Sequence, residues 1–284
     1  MVKISIVGHT GFIGQHLHKR LKDNHEISGF NSVELPFRAK DLNPKIRNQD
    51  VIYWLATSVN PNTAEADSAQ IELELEGWDR FLNLLQAAPP KKLVFLSSGG
   101  CVYKAGIPPF SENSPTEGTN AYGKLKIQME NLLLRSKIPH TILRVANVYG
   151  PGQPIGRGQG VIAEWTSSIA MNRPIPLFGS SSVKRDFIFI DDVCDAIQVG
   201  ARYLNDSIFN IGSGKAVALQ DIYELLREIT NLNLRLVRYE SRKIDREAYF
   251  LDISKAIHLL NWEPKITIDR GLRIVLDEKG LFPG

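Results

Sequence analysis

Short apolar runs alternate with amphipathic segments along the first half of the chain. The runs are typical of buried strands, and the segments between several of them repeat apolar residues at the spacing of one helix face. When helices connect successive buried strands, the strands run parallel in one sheet and the helices cover its faces. The pattern predicts an α/β fold with strands at KISIVG, HEISGF, DVIYWLA, KKLVFLSS and HTILRVANVYG, and helices at IELELEGWDRFLNLLQAA and AYGKLKIQMENLLLRS.

The composition narrows the class of partner. The chain has 284 residues, 43% of them hydrophobic and 23% charged, with a net charge of only +3 and no basic run with interleaved aromatic residues, so we expect no nucleic-acid partner. No apolar stretch approaches the roughly 18 residues of a membrane span, and no leader precedes KISIVG, so we expect no membrane partner and a cytoplasmic location. The two cysteines lie far apart and the histidine pair in HLH has no third ligand nearby, so we expect no metal site.

Three glycines follow the first predicted strand directly. Gly8, Gly11 and Gly14 of IVGHTGFIG stand where a strand passes into a helix. Glycine at such positions permits a tight turn and the close approach of a pyrophosphate, whose charge meets backbone N–H groups and the helix N-terminus. The arrangement predicts a site for NAD or NADP. The other residues of this turn that we assign to the site are Thr10, Phe12 and Ile13.

The second predicted strand ends without the acidic residue that favours NAD. That residue is expected about 20 positions after the glycines, within HEISGFNS, where the sequence has Asn31 and then Ser32. An aspartate there accepts the ribose hydroxyls and repels a 2′-phosphate, whereas the neutral Asn31 and Ser32 do neither, and Arg38 lies in the following loop. We therefore assign Asn31 and Ser32 to the cofactor site and predict that NADP is tolerated at least as well as NAD.

A tyrosine and a lysine four residues apart open a later amphipathic segment. Residues at this spacing share a helix face, so the ammonium group of Lys126 lies near the phenol of Tyr122. A nearby positive charge lowers a phenol pKa that starts near ~10, which predicts that Tyr122 is a general acid or base near neutral pH. The strand end that carries Ser98 precedes this pair. The second match, Tyr239 and Lys243, follows no such strand end and is interpreted as a coincidence.

These motifs, taken in order, resemble those of a known family. The chain is similar over nearly its whole length to the extended short-chain dehydrogenase/reductases, in particular the nucleotide-sugar epimerase/dehydratase family. The resemblance implies a Rossmann-type doubly wound parallel sheet, a smaller C-terminal α/β lobe that binds a UDP- or dTDP-sugar, and a homodimer. The motifs that carry it are the three glycines, DVIYWLATS, FLSSGGCVY, YGKLK, ILRVANVYGPGQ, KRDFIFIDDV, FNIGSG and LDISKAIHLLNWEP.

The character of the sequence changes after Pro151. The Gly/Pro-rich loop GPGQPIGRGQG and the shorter mixed elements after it predict a second lobe, and SIFNIGSG predicts a strand that returns to the first lobe. We therefore expect a dinucleotide-binding domain formed by residues 1-152 with about 186-214, and a nucleotide-sugar-binding lobe formed by residues 153-185 and 215-284.

The resemblance assigns roles to individual residues. It makes Tyr122 the acid or base and Lys126 its partner, which also bonds the nicotinamide ribose. On the cofactor side it assigns Asp41 and Leu42 to the adenine, and Leu55, Ala56 and Thr57 to the strand end beside the cofactor. On the sugar-nucleotide side it assigns Asn147 to the diphosphate sugar, Gly160 and Val161 to a loop near the base, Arg185 and Arg242 to the diphosphate, and Asp245 to a ribose. Guanidinium groups match a diphosphate well.

Three features depart from the family pattern. The catalytic Ser/Thr of the family stands four residues before the tyrosine of CVY, and in this chain that position is Gly99. Ser98 is the nearest hydroxyl and takes its place among the predicted catalytic residues. Lys104 replaces the glycine that usually follows Tyr103, and we expect it to face solvent. The segment NSVELPFRAKDLNPKIRNQ is too short for the usual helix-strand unit, which predicts an open adenosine end.

Two classes of function stay open on the sequence. One is an enzyme that transfers hydride between NAD(P) and a sugar carbon. Its leading form is an epimerase at C4 of a UDP- or dTDP-sugar, acting through a 4-keto intermediate, and its alternative is an NADPH-dependent reductase of a nucleoside-diphosphate 4-keto-6-deoxysugar. The other class is a catalytically silent, dinucleotide-binding redox sensor, which the presence of Tyr122 and Lys126 disfavours. A dehydratase is also disfavoured, because GGC lacks the Asp-Glu pair that the resemblance requires for eliminating water.

Overall fold

The computed structural model describes residues 1–61, 63–156, 160–240 and 248–281, and it has an α/β architecture. The strands of the described chain are β1 (Lys3–Val7), β2 (Glu26–Phe30), β3 (Phe37–Arg38), β4 (Asp41–Leu42), β5 (Val51–Trp54), β6 (Lys92–Ser98), β7 (His140–Val145), β8 (Asn147–Tyr149), β9 (Ile175–Phe178), β10 (Lys184–Arg185), β11 (Phe187–Phe189), β12 (Ser207–Ile211), β13 (Val217–Ala218) and β14 (Leu236–Tyr239). The helices are α1 (Phe12–Leu21), α2 (Ser68–Leu85), α3 (Gly99–Val102), α4 (Ala121–Arg135), α5 (Val161–Ala170), α6 (Ile190–Arg202), α7 (Leu219–Thr230), α8 (Ser254–Leu260) and α9 (Ile268–Glu278).

A six-stranded parallel sheet forms the centre of the protein, in the order β12, β7, β6, β5, β1, β2. The strands predicted from the sequence are all in it, including the returning strand SIFNIGSG as β12. One prediction needs correction, because HTILRVANVYG forms two strands. The N–H of Ala146 still donates to Ile211 (2.8 Å), but that of Asn147 donates to Asp186 (3.0 Å), so the chain leaves the central sheet and β8 pairs with β11.

Helices cover both faces of this sheet. On one face α1 and α6 bury Leu17 and Cys194 in a large core, and on the other α2 and α4 bury Trp78 and Leu125 in a second core. Aromatic packing is dense in the second core, where the ring centres of Trp54 and Trp78 are 4.7 Å apart. The predicted Rossmann-type, doubly wound sheet is therefore confirmed.

The connection from β2 to β5 is short. Residues 31–50 form only the antiparallel pair β3 and β4 and a 3₁₀ turn at Pro44–Ile46, with no α-helix between the two sheet strands. This agrees with the expectation that the segment lacks the usual helix-strand unit.

Later elements form small two-stranded sheets outside the central one. Strands β9 and β14 pair in parallel, and β10 and β13 pair antiparallel. Helix α5 precedes β9 in the sequence and α7 follows β13. Within the described ranges, none of the helices is both long and apolar enough to cross a membrane.

Candidate active site

A cleft of about 710 Å³ opens at the carboxyl ends of the central strands. Its walls come from the chain after β1, β5, β6 and β7, and from α4, α5, β9 and β10. Open α/β sheets bind ligands at this end where the strand order reverses, which here is between β1 and β5. The cleft brings together the predicted residues Phe12, Ile13, Leu55, Thr57, Ser98, Tyr122, Lys126, Asn147, Gly160, Val161 and Arg185.

The glycine turn after β1 has no room for side chains. Gly8 has a φ of +93°, and a Cβ there would lie 2.9 Å from the backbone nitrogen of Ala56. A Cβ on Gly14 would overlap the carbonyl oxygen of Gly8. The helix α1 begins directly after Gly11, so the exposed Thr10 and the helix N-terminus border a concave stretch of backbone. A cradle of this form fits the pyrophosphate of a dinucleotide.

At the end of β2 the side chain of Asn31 is engaged in its own turn. Its Oδ1 accepts two backbone N–H groups of the following residues, at 2.8 and 2.9 Å, so it offers a ribose no free carbonyl oxygen. Ser32 beside it is exposed. Leu42 is buried in the second core and Asp41 is exposed, and the contact of these two residues with adenine stays a prediction.

Tyr122 and Lys126 both line the cleft from the first turns of α4. The Oδ1 of Asn120 caps this helix by accepting the N–H of Gly123 at 2.8 Å, which fixes the helix start beside the cleft. The Nζ of Lys126 lies 5.5 Å from the centre of the Tyr122 ring. The second match differs, because Tyr239 lies on strand β14 and Lys243 is outside the described residues.

The electrostatics of this pair differ from the sequence prediction. Burial raises the pKa of Tyr122, and the nearby Cys101 thiol and Glu74 carboxylate raise it further. Burial lowers the pKa of Lys126, against the effect of the carboxylates of Glu74 and Glu130. The predicted lowering of the Tyr122 pKa by Lys126 is therefore wrong for the protein alone, since desolvation by burial is the largest cause of the shift and it raises the pKa.

Glu74 is a residue that the sequence motifs did not indicate. It projects from α2 to the loop after β5, where its Oε1 accepts the hydroxyl of Thr57 at 2.8 Å and its Oε2 accepts the N–H of Ser58 at 2.6 Å. Because it raises the pKa of both Tyr122 and Lys126, it sets part of the charge balance of the site. Its part in the site becomes visible only in the folded chain, through its hydrogen bonds to the loop after β5 and its effect on these two pKa values.

Two serines end strand β6 and have different surroundings. The hydroxyl of Ser97 donates to the carboxylate of Glu130 at 2.5 Å. That of Ser98 lines the cleft and has no hydrogen-bond partner among the described residues. Ser98 is thus the serine that can contact a ligand, as predicted, and its catalytic role stays a prediction. Lys104 forms an exposed ion pair with Glu117 at 3.2 Å and does not line the cleft, in line with the expectation that it faces solvent.

Behind the cleft, a buried ion pair joins α4 to β7. The Nη2 of Arg144 lies 2.6 Å from the Oε2 of Glu130, and both residues are at most 5% exposed. Arg144 also donates to the hydroxyl of Tyr103 at 3.2 Å. The pair holds the helix of Tyr122 against the strands whose ends form the cleft.

The predicted sugar-nucleotide residues lie on the opposite wall. Asn147 and Arg185 line the cleft from β8 and β10, and Gly160, with a φ of +80°, is followed by Val161 at the start of α5. The Nδ2 of Asn147 donates to the carbonyl of Asp186 at 2.8 Å. The remaining two predicted residues, Arg242 and Asp245, lie outside the described residues.

Asp186 fixes this wall and was missed by the sequence analysis. Its buried carboxylate accepts the N–H and the hydroxyl of Ser213, both at 2.7 Å, and the N–H groups of Gly214 and Leu251 at 3.3 and 3.2 Å. Burial raises the pKa of Asp186 and these hydrogen bonds oppose the rise. The carboxylate therefore joins three segments behind Arg185.

Comparison with known proteins assigns the family. The sequence model described as "NAD dependent epimerase/dehydratase family" matches residues 4–212. The chain is 28% identical to a putative UDP-glucose 4-epimerase of Methanocaldococcus jannaschii, over 96% of this chain and 97% of that protein. It is 30% identical to a dTDP-4-dehydro-6-deoxyglucose reductase of Escherichia coli, over 86% and 79%.

Its fold is also similar to a UDP-glucose 4-epimerase of Thermotoga maritima solved with UDP-glucose, with a TM-score of 0.86, 24% identity and 97% of both chains covered. The chain belongs to the NAD dependent epimerase/dehydratase family, which confirms the predicted family and an NAD-dependent enzyme.

Proposed function

We propose that the protein is a nucleotide-sugar epimerase that acts at C4 of a UDP- or dTDP-sugar through a 4-keto intermediate. The observation that carries this proposal is the position of Tyr122 and Lys126 in one cleft between the glycine turn and the wall of Asn147 and Arg185. A dinucleotide and a diphosphate sugar held on these two sides meet at the Tyr122 phenol. The putative UDP-glucose 4-epimerase of Methanocaldococcus jannaschii and the UDP-glucose 4-epimerase of Thermotoga maritima support the proposed reaction.

In this mechanism the backbone of Gly8 to Gly14 holds the cofactor pyrophosphate. NAD supplies, when bound, a hydride acceptor and, once reduced, a hydride donor. Tyr122 takes the proton of the sugar 4-hydroxyl as the 4-keto sugar forms, and returns a proton to the same oxygen after the sugar has turned over. Lys126 lies beside the phenol and would bond the ribose of the cofactor, so it would orient both.

The substrate wall binds the diphosphate. Arg185 and, from outside the described residues, Arg242 neutralise its charge, Asp245 bonds the ribose, and Asn147 contacts the diphosphate sugar. We further propose that residues 153-185 and 215-284 form the nucleotide-sugar lobe, that the remaining residues, 1-152 with about 186-214, form the dinucleotide domain, and that the enzyme is a homodimer.

A reductase of a nucleoside-diphosphate 4-keto-6-deoxysugar is the second candidate. It is favoured by the Escherichia coli relative and by the end of β2, where Asn31 presents no carboxylate to exclude a 2′-phosphate. Such an enzyme exchanges its cofactor at every turnover, whereas an epimerase retains it.

One experiment separates these functions. The enzyme is incubated with UDP-glucose, UDP-N-acetylglucosamine or a dTDP-4-keto-6-deoxysugar, each with and without added NADPH. Epimerised product without added cofactor supports the proposal, and NADPH consumption with the keto sugar alone supports the reductase. No reaction with any of them, together with dinucleotide binding, supports the redox sensor.

Two variants test the role of the tyrosine. Tyr122→Phe is expected to keep dinucleotide binding and to lower turnover by about 10²–10⁴-fold, the usual contribution of a positioned acid or base. Tyr239→Phe, at the coincidental match, is the control and is expected to keep turnover. Full activity in Tyr122→Phe would refute both enzymatic proposals.

A further inference from the structure

His9, inside the glycine turn, contacts the end of β2. Its Nδ1 lies 3.0 Å from the carbonyl oxygen of Phe30, the last residue of that strand. A carbonyl oxygen can only accept, so Nδ1 carries a proton and donates it. The same carbonyl accepts the backbone N–H groups of Gly8 and His9, at 2.8 and 3.3 Å. The imidazole is therefore tied to the point where β2 passes into Asn31 and Ser32.

Gly29 provides the room for this ring. A Cβ at position 29 would lie 2.6 Å from the Cγ of His9 and 2.8 Å from its Cδ2 and Nδ1, so a larger residue there would displace the ring. On α1 the neighbouring side chain is His18, whose ring centre is 6.4 Å from that of His9. The imidazole thus lies at the junction of β2 and α1, held by packing and by one hydrogen bond.

The fold makes no use of the second ring nitrogen of His9. Its Nε2 has no hydrogen-bond partner among the described residues, and the side chain is partly exposed. The groups that face the ring are the neutral Gly29 and Phe30 of β2 and the imidazole of His18 on α1. Such a nitrogen accepts a hydrogen bond when the ring is neutral and donates one when the ring is protonated.

The end of β2 has a known relation to the cofactor in Rossmann-type sheets, because the 2′-position of the adenosine ribose lies there. NADP carries a phosphate at this position, where NAD has a hydroxyl. A protonated imidazole donates to a phosphate in a charge-assisted hydrogen bond, which is stronger than one between neutral groups. Asn31 presents no carboxylate to repel the phosphate, and its Oδ1 is engaged in its own turn.

We infer that His9 determines the specificity for the cofactor, because its protonated ring donates from Nε2 to the 2′-phosphate of NADP. Histidine is the side chain whose charge changes between about pH 5 and 8, so the preference for NADP over NAD rises as the pH falls. The inference concerns the dinucleotide site alone and does not depend on the proposed sugar chemistry.

The test is a displacement titration on the full-length protein. The protein is loaded with NADH, whose fluorescence when bound reports its displacement by NADP or by NAD, and the ratio of the two affinities is measured at about pH 7 and pH 8.5. A phosphate monoester has its second pKa near ~6, so the 2′-phosphate is mainly doubly charged at both values and the change reports the protein. In the wild type the NADP-to-NAD affinity ratio is expected to fall about three- to tenfold between them.

His9→Asn is the matched variant. The Nδ2 of asparagine can donate to Phe30 in place of Nδ1, so the anchor is kept while Nε2 is lost. The variant is expected to bind NADP about three- to tenfold more weakly at the lower pH, to bind NAD as the wild type does, and to lose the pH dependence of the ratio. His18→Asn removes the neighbouring imidazole, and as the control it is expected to keep the wild-type ratio at both pH values.

Several results would overturn the inference. Equal weakening of NADP and NAD in His9→Asn would make the residue a structural part of the turn, and an unchanged ratio would assign the discrimination to another group, such as the exposed Arg38 of β3. Loss of the pH dependence in His18→Asn would assign it to that imidazole, and a wild type that does not bind NADP would remove the basis of the inference. These titrations contain no sugar, so their outcome is separate from that of the epimerase assay.

Discussion

The buried ion pair behind the cleft allows a prediction of stability with a magnitude. In Glu130→Gln the side chain keeps its size and loses its charge. Glu130 accepts from Arg144 at 3.1, 3.2 and 2.6 Å and from Ser97 at 2.5 Å, and it is 2% exposed, so no water replaces the lost carboxylate oxygen. The variant leaves the guanidinium charge of Arg144 buried without a counter-charge.

Breaking a buried pair by removing one partner typically costs about 3–5 kcal/mol. The lower end is expected here, about 3 kcal/mol, because Arg144 keeps neutral acceptors in the hydroxyl of Tyr103 at 3.2 Å, the carbonyl of Glu112 at 3.3 Å and the amide oxygen of the new glutamine. The matched control is Glu224→Gln on α7. Its carboxylate lies 2.8 Å from Arg227, but both side chains are nearly half exposed, so a loss of about 0.5 kcal/mol is expected.

The assay is equilibrium unfolding in urea, followed by tryptophan fluorescence, on the wild type and both variants. Trp78 reports directly on the core of α2 and α4, since its Nε1 donates to the carbonyl of Met129 in α4 at 3.0 Å. A loss below about 1 kcal/mol in Glu130→Gln, or a loss no larger than that of the control, would show that Arg144 finds compensation elsewhere and would refute the reasoning.

Three further changes test the site. Gly99→Ala is expected to destabilise by about 1–3 kcal/mol through overpacking, while Gly100→Ala, whose Cβ would meet nothing nearer than 3.9 Å, is expected to cost nothing; equal midpoints in thermal unfolding would contradict this. Glu74→Gln removes a charge that raises the pKa of Tyr122, so the limb of the pH–rate profile that ascends as Tyr122 loses its proton is expected to move to lower pH; an unmoved limb would exclude the effect. Titration with both cofactors is expected to show NADP bound at least as well as NAD, because Asn31 offers no carboxylate, and a preference for NAD beyond about 100-fold, roughly 2.7 kcal/mol, would show another discriminator.

The fold could be predicted from the sequence because burial determines the pattern of apolar residues in its strands and helices. The strands of the central sheet are covered on both faces, so each reads as an apolar run, and α2 and α4 bury one face each, which gives a helical period. The break between β7 and β8 did not follow. The change of partner at Ala146 and Asn147 depends on hydrogen bonds to Ile211 and Asp186, and the run of apolar residues continues through it.

The site followed from the sequence where its chemistry is local. The spacing of Tyr122 and Lys126 on one helix predicted that they share a face, and the structure places both in the cleft. The direction of the Tyr122 pKa did not follow, because it depends on burial and on Glu74, which comes from another helix. The Tyr-Lys spacing reveals that a charged group lies near the phenol, but it does not reveal how deeply the phenol is buried, and burial raises its pKa.

Gly99 is a second residue whose surroundings cannot be predicted from the sequence motif. In the sequence, Gly99 is seen only as the absence of the family's catalytic Ser/Thr hydroxyl, and the nearest hydroxyl is that of the adjacent Ser98. In the folded chain the space at Gly99 is already occupied by Tyr249 and Leu251, so a serine at 99 requires these side chains to move. The glycine is therefore explained by what packs against it as much as by what it lacks. Gly99→Ala tests the packing against the glycine, Tyr249→Phe tests the hydrogen bond to its carbonyl, and the two variants measured together separate these contributions.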